Sequence, residues 1–163
     1  MNYRTALISC AIIGCFLTFK LKKDAVSMTK SGQGGAVGIR NKNPLNIEYN
    51  ERNNWKGQTG RNGRFCTFSH NKWGFRAGAR VLKSYRNRKV RTITDIVNTF
   101  APPNENDSER YVSLVCQWAG LPPSHVVDTN NDREMASVLR AMARMEVGIE
   151  FPLSDVMAGI ALA

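Results

Sequence analysis

Acids are scarce in one long stretch of this chain. From Arg40 to Arg91, fourteen Lys and Arg stand against Glu48 and Glu51 alone, a local +12 in a chain of 163 residues that totals +10. Such an imbalance asks for a polyanionic partner, and nucleic acid, anionic lipid and the bacterial cell-wall polymer all qualify. Metal-binding side chains are few as well, with two His and four Cys in all. Cys66, His70, Cys116 and His125 match no paired zinc spacing, so no metal site is expected, and no motif implies a cofactor. No segment repeats, and the length suits one domain with a core but is too short for two.

A comfortable membrane span is also lacking. The charge-free apolar run is Thr5 to Phe19, TALISCAIIGCFLTF, closed by Lys20, Lys22 and Lys23. As a helix it rises about 22 Å, short of the roughly 30 Å hydrocarbon core unless Leu21 and snorkelling lysines extend it. Three readings of residues 1–23 are open: an uncleaved weak anchor in the inner membrane through residues 5–21, a cleaved export signal, or a lipoprotein signal at Ile12-Ile13-Gly14-Cys15. Residues 24–37 are rich in Ser and Gly without apolar periodicity and read as a linker. The body is 38–163. If it is exported, a Cys66–Cys116 disulfide is permitted; two free thiols are the alternative.

The body opens irregularly. A hairpin is expected near Arg61-Asn62-Gly63, since Asn-Gly favours tight turns. Four helical stripes follow: Phe75, Gly78, Ala79, Leu82 and Tyr85; Ile93, Ile96, Val97 and Phe100, opened by the box Thr92-x-x-Asp95; Tyr111, Leu114, Val115 and Trp118, ended by Gly120; and Met135, Val138, Leu139 and Met142 after Asn131-x-x-Glu134. A short apolar segment, Asp155 to Ala163, docks as a last helix. The fold class is mostly α, with a small loop-rich or β-hairpin lobe.

One residue breaks the fourth stripe. At 100° per residue Glu146 lies within about 20° of Leu139, whereas Glu134 falls on the opposite, wet side. A carboxylate on a dry face either pairs with an arginine or is held there to stay protonated for chemistry. Elsewhere, Asn41, Asn43 and Asn46 crowd around Pro44, an amide density suited to turns and to hydrogen-bonding sugar hydroxyls. Trp55 among polar residues suits stacking on a sugar ring or on a base, or capping a small core. In PPNENDSERY, Asp107 reads as a helix cap, as does Asn106 through a box with Glu109, while Glu105 is a second candidate carboxylate. Tyr111 is either core or aims its hydroxyl at substrate.

Together these motifs carry a resemblance. The order GIRNKNPLNI, NNWKGQTGRNGRF, FSHNKWGFRAGARVL, FAPPNENDSERYVSLV, RMEVG and terminal GIALA resembles a phage and prophage family of lysozyme-like peptidoglycan-degrading proteins, comprising endolysins, virion lytic transglycosylases and structural proteins. NPLNI with the later NDSERY is similar to a glucosaminidase branch whose catalytic Glu precedes the Asn motif; here the only acid between the apolar run and Asn41 is Asp24. MEVG looks like the helix-end Glu-x-Gly of lytic transglycosylases, displaced to the C-terminal end, as in a circular permutation. The resemblance implies a lysozyme-like domain cleaving between N-acetylmuramic acid and N-acetylglucosamine, as muramidase or lytic transglycosylase, with Glu146 as general acid and Glu105 as second carboxylate or acid. It also implies substrate contacts from Asn41, Asn43, Asn46, Trp55, Asn106 and Tyr111. Peptidoglycan is then the partner, and the chain a monomer in the inner membrane and periplasm, exported, or in a virion. The weak anchor is similar to that of signal-arrest-release endolysins, which suggests exchange of Cys10 or Cys15 with a disulfide of Cys66 or Cys116 on release. A non-enzymatic basic virion or nucleic-acid-associated protein is the rival; the apolar leader argues against nucleic acid.

Overall fold

The computed structural model describes residues 36–102 and 107–163, all of them in one compact unit, Gln33–Ala163. The leader, most of the linker, Glu105 and Asn106 lie outside the described residues. Six helices and one two-stranded sheet are described, so the fold is mostly α with a small β lobe. After the short α1 (Val37–Arg40), the antiparallel pair β1 (Gln58–Asn62) and β2 (Phe65–Phe68) forms a hairpin. Its register pairs Asn62 with Phe65. The connecting residues are therefore Gly63 and Arg64, one step later than Asn-Gly suggested, with Gly63 at φ 57°. The chain before β1 lies along the other edge of β2: Cys66 N–H donates to Ile47 O at 2.9 Å and Tyr49 N–H to Arg64 O at 2.8 Å.

The helices follow the stripes closely, as α2 (Asn71–Asn87), α3 (Ile93–Phe100), α4 (Ser108–Ala119), α5 (Asp132–Val147) and α6 (Leu153–Ile160). Local chemistry sets their ends. Thr92 and Asp95 form the expected capping box on α3, and Asp107 caps α4 by accepting from Arg110 N–H. Gly120 and Gly148 stop α4 and α5 in the left-handed region, which costs a glycine little. Asn131 caps α5 alone, because Glu134 has another partner. Loop residues 125–128 cover it: Glu134 accepts from Asp128 N–H at 2.8 Å and meets His125 Nε2 at 2.7 Å. Its side chain is thus only 18% exposed, contrary to the wet position expected from helical projection alone.

Helix α5 runs through the middle of the core, against α1, α2, α4 and α6. Ala136, Ala141 and Ala143 are buried beside Met135, Leu139 and Met142, so small residues let neighbours approach α5 on more than one side. Phe75 of α2 and Phe151, just before α6, meet edge to face at 5.3 Å between ring centres. Among the described residues no helix is long and apolar enough to cross a membrane. Cys66 is buried, Cys116 half-buried, and both are free thiols. The permitted Cys66–Cys116 disulfide is thus not formed, and Cys10 and Cys15, the other partners of the expected exchange, lie outside the described residues.

Candidate active site

The segment Asn43-Pro44-Leu45-Asn46 is a tight turn. Pro44 supplies the φ that its second position needs, and Asn46 N–H closes it onto Asn43 O at 3.0 Å. Asn43 locks this turn to the sheet. Its Oδ1 accepts from Ile47 N–H at 2.9 Å while Nδ2 donates to Ile47 O at 2.9 Å and Cys66 O at 3.0 Å. The turn ends with Asn46 in the left-handed region at φ 45°, which asparagine tolerates better than most residues. Gly38 makes room for it: a Cβ there would stand 2.5 Å from Val147 and 2.6 Å from Asn46 Oδ1.

This geometry delivers the Asn46 amide to the end of α5. Nδ2 donates to Glu146 Oε2 at 3.0 Å and lies 3.4 Å from the Glu146 carbonyl, one of the carbonyls a helix end leaves without a partner. From the other side the Tyr111 hydroxyl of α4 donates to Glu146 Oε1 at 2.9 Å. Both carboxyl oxygens are therefore held, by groups 100 and 35 residues away in the chain. Among the described residues no salt bridge reaches Glu146, and Arg64 of the basic lobe acts on it through its charge. Burial pushes its carboxyl above the usual glutamate range; the Asn46 amide, the Tyr111 hydroxyl and the charge of Arg64 pull the other way and are outweighed. Burial and the neighbouring carboxylate hold the Tyr111 proton on well above the ordinary phenol range, so Tyr111 stays a donor.

Glu146 opens into a cleft of about 500 Å³ between the β lobe and the helices. Amides line it at Asn46, Asn50 and Asn53, and rings at Tyr49, Trp55, Phe65, Tyr85 and Phe100. Trp55 Nε1 is buried without a hydrogen-bond partner among the described residues. The cleft also holds a second carboxylate, Glu48, whose Oε1 is 2.8 Å from Arg64. Sequence reasoning counted Glu48 only as a charge; its place beside β2, five residues after the Asn43 clamp, was the available signal.

Of the expected contact residues, Asn46 and Trp55 reach the cleft and Tyr111 lies behind Glu146 as its hydrogen-bond donor. Asn41 and Asn43 do not reach it. Asn43 is 0% exposed with its amide spent on backbone, and Asn41 is buried, accepting from Asn62 Nδ2 at 3.0 Å. Both amides hold the turn against the hairpin. Glu105 and Asn106 lie outside the described residues.

No family model matches the sequence. Over 118 residues the chain is 35% identical to Protein P5 of Pseudoalteromonas phage PM2, across 69% of this chain and 72% of P5. The chain belongs to the P5 family. P5's name carries no activity, so membership of that family leaves the chemistry to be argued from the cleft.

Proposed function

We propose that this P5-family protein is a glycosidase with a lysozyme-like, circularly permuted domain, acting on the peptidoglycan glycan strand between N-acetylmuramic acid and N-acetylglucosamine. The observation that carries the reading is Glu146: a carboxyl with its pKa raised by burial, at a helix end, open to a cleft of amides and aromatic rings. Cleaving a glycosidic bond requires a proton for a poor leaving oxygen, and a carboxyl kept protonated by its surroundings can supply it. Amides and ring faces are what acetamido sugars require of a binding wall.

The two donors on Glu146 have a part in that step. As the proton leaves, negative charge develops on a carboxylate that already accepts from Tyr111 and Asn46, with Arg64 nearby, so donors arranged in the resting state stabilise the charge as it forms. Glu48 is the described carboxylate able to face the other side of the sugar, as base for water or as stabiliser of the oxocarbenium-like transition state. Glu105 retains the same candidacy from sequence. Attack by water gives a hydrolase; attack by the muramic acid's own hydroxyl gives a lytic transglycosylase.

With the apolar leader, the enzyme works at the inner membrane and periplasm of a bacterial host, in phage lysis or wall penetration. The test is zymography on purified peptidoglycan with wild type, Glu146→Gln and Glu48→Gln. Wild type is expected to clear a band that Glu146→Gln loses. A wild type that clears nothing removes the enzyme reading and favours the non-enzymatic, basic virion or nucleic-acid role; a band surviving Glu146→Gln removes only the assignment of the acid.

A further inference from the structure

Helix α2 carries a second feature, away from the cleft. From Asn71 to Arg91 the chain holds eight basic residues, Lys72, Arg76, Arg80, Lys83, Arg86, Arg88, Lys89 and Arg91, and no acid. They do not form one face. Arg86 is turned toward the loop, pairing with Asp128 at 3.6 Å, and Arg88 stacks over the Tyr85 ring. Lys72, Arg76, Arg80 and Lys83 are different. Spaced by four, four and three, they fall within roughly 80° of one another around the helix and run about 16 Å along it. No described carboxylate pairs with any of them. Lys72 lies over Trp73, Arg76 donates Nε–H to Leu162 O at 2.8 Å and keeps its terminal nitrogens, and Arg80 is exposed. A stripe of four like charges on one face repels itself and persists against that cost.

The stripe is placed opposite the cleft. Val81 and Tyr85, the α2 residues lining the cleft, project roughly 140° and 180° around the helix from the middle of the stripe. Beside the stripe run the end of α6 and the residues after it, where Ala158, Ala161 and Leu162 are exposed and apolar. Gly159 lets α6 approach so closely there that a Cβ would stand 2.7 Å from Lys72 O and 2.9 Å from Arg76 N.

We infer that this face, Lys72, Arg76, Arg80 and Lys83 with Leu162 beside them, docks on an anionic phospholipid surface and leaves the cleft turned away from the bilayer. Charge complementarity points to that occupant, as do the apolar residues bordering the cations, which an interfacial surface requires, and the apolar run Thr5–Phe19 of the same chain, closed by three lysines, for which a weak membrane anchor is one of the three readings. A polymer substrate in the periplasm then meets an open cleft while the domain lies against the leaflet. The inference stands apart from the glycosidase reading, because lipid binding needs no bond to be cleaved.

The test is lipid titration of the full chain with vesicles of phosphatidylcholine alone and of phosphatidylcholine mixed with phosphatidylglycerol, comparing wild type with the double variant Arg80→Gln, Lys83→Gln. Both side chains are free of described acids, so the fold is retained and circular dichroism checks it. Each cation near an anionic surface contributes roughly a fivefold preference, so the double variant is expected to partition about 25-fold less onto the anionic vesicles and as wild type does onto phosphatidylcholine. Wild-type partition by the variant on anionic vesicles overturns the inference. So does a result in which losing Arg80 and Lys83 weakens binding to duplex DNA or to purified sacculi at the same ionic strength but not to the vesicles. The zymogram of the double variant is expected to equal that of wild type, which separates this face from the cleft.

Discussion

Replacing Tyr111 by Phe removes one oxygen from the described structure and leaves the buried ring in place. That oxygen donates to Glu146 Oε1 at 2.9 Å, inside a site that burial has made costly for charge. A hydrogen bond to a charged partner contributes about 1.5–3 kcal/mol, and each 1.4 kcal/mol is tenfold in rate. If Glu146 gives up its proton in the transition state, Tyr111→Phe therefore lowers kcat roughly 10- to 100-fold. The pH profile carries a second signature. The Tyr111 hydroxyl favours the ionised form of Glu146, so its loss raises the pKa further, and the alkaline limb, where a general acid loses its proton, moves to higher pH. The assay is the pH dependence of release of soluble glycan from purified peptidoglycan. An unchanged rate, or an alkaline limb displaced to lower pH, refutes the reasoning, because a merely structural Tyr111 would depress activity without moving the limb upward.

Three further variants have outcomes set by the same geometry. Glu146→Gln keeps the shape and both hydrogen-bond positions, so it removes activity by roughly 10²–10⁴ without unfolding the chain. Because the folded-state pKa of Glu146 is raised, the native state binds more protons than the unfolded one above the unfolded glutamate pKa, and stability contributed by this group falls as pH rises through the folded pKa. Glu146→Gln is thus at least as stable as wild type at neutral pH, with the advantage vanishing in acid; a neutral-pH melting temperature clearly below wild type contradicts this. Asn43→Ala strips three hydrogen bonds from fully buried backbone groups and costs about 3 kcal/mol by denaturant unfolding; a loss below about 1 kcal/mol would show that water replaces the amide. Glu48→Gln breaks an exposed ion pair with Arg64, changing stability by less than about 1 kcal/mol while lowering activity if Glu48 faces the sugar; unchanged turnover assigns the second carboxylate elsewhere.

Helix positions and most caps were legible, because the stripes through Leu82, Val97, Val115 and Leu139 and the Thr92–Asp95 box are local patterns. Glu146 was legible as an anomaly of the same kind, an acid where the period calls for an apolar residue. Its partners were not. Asn46 and Tyr111 each stood out singly, yet nothing local links a left-handed Asn after a Pro turn to a carboxylate 100 residues on. The asparagine cluster was read as one chemical feature and divides by position: in GIRNKNPLNI the amides of Asn41 and Asn43 turn inward to hold the hairpin, and only Asn46, displaced by its positive φ, reaches the cleft. Glu48 went unnoticed because an exposed acid in an aperiodic segment carries no signal until the sheet edge places it. Glu134 was misplaced because the loop that covers it is distant from any helical period.

The central claim is that Glu146 protonates a glycosidic oxygen of peptidoglycan. Mass spectrometry of the fragments released from purified peptidoglycan by the wild-type chain and by Glu146→Gln tests it most directly. Glycan fragments newly ended in muramic acid, reducing or anhydro, from wild type and almost none from the variant are predicted; equal release by both, or fragments cut only in the peptide stems, would contradict it.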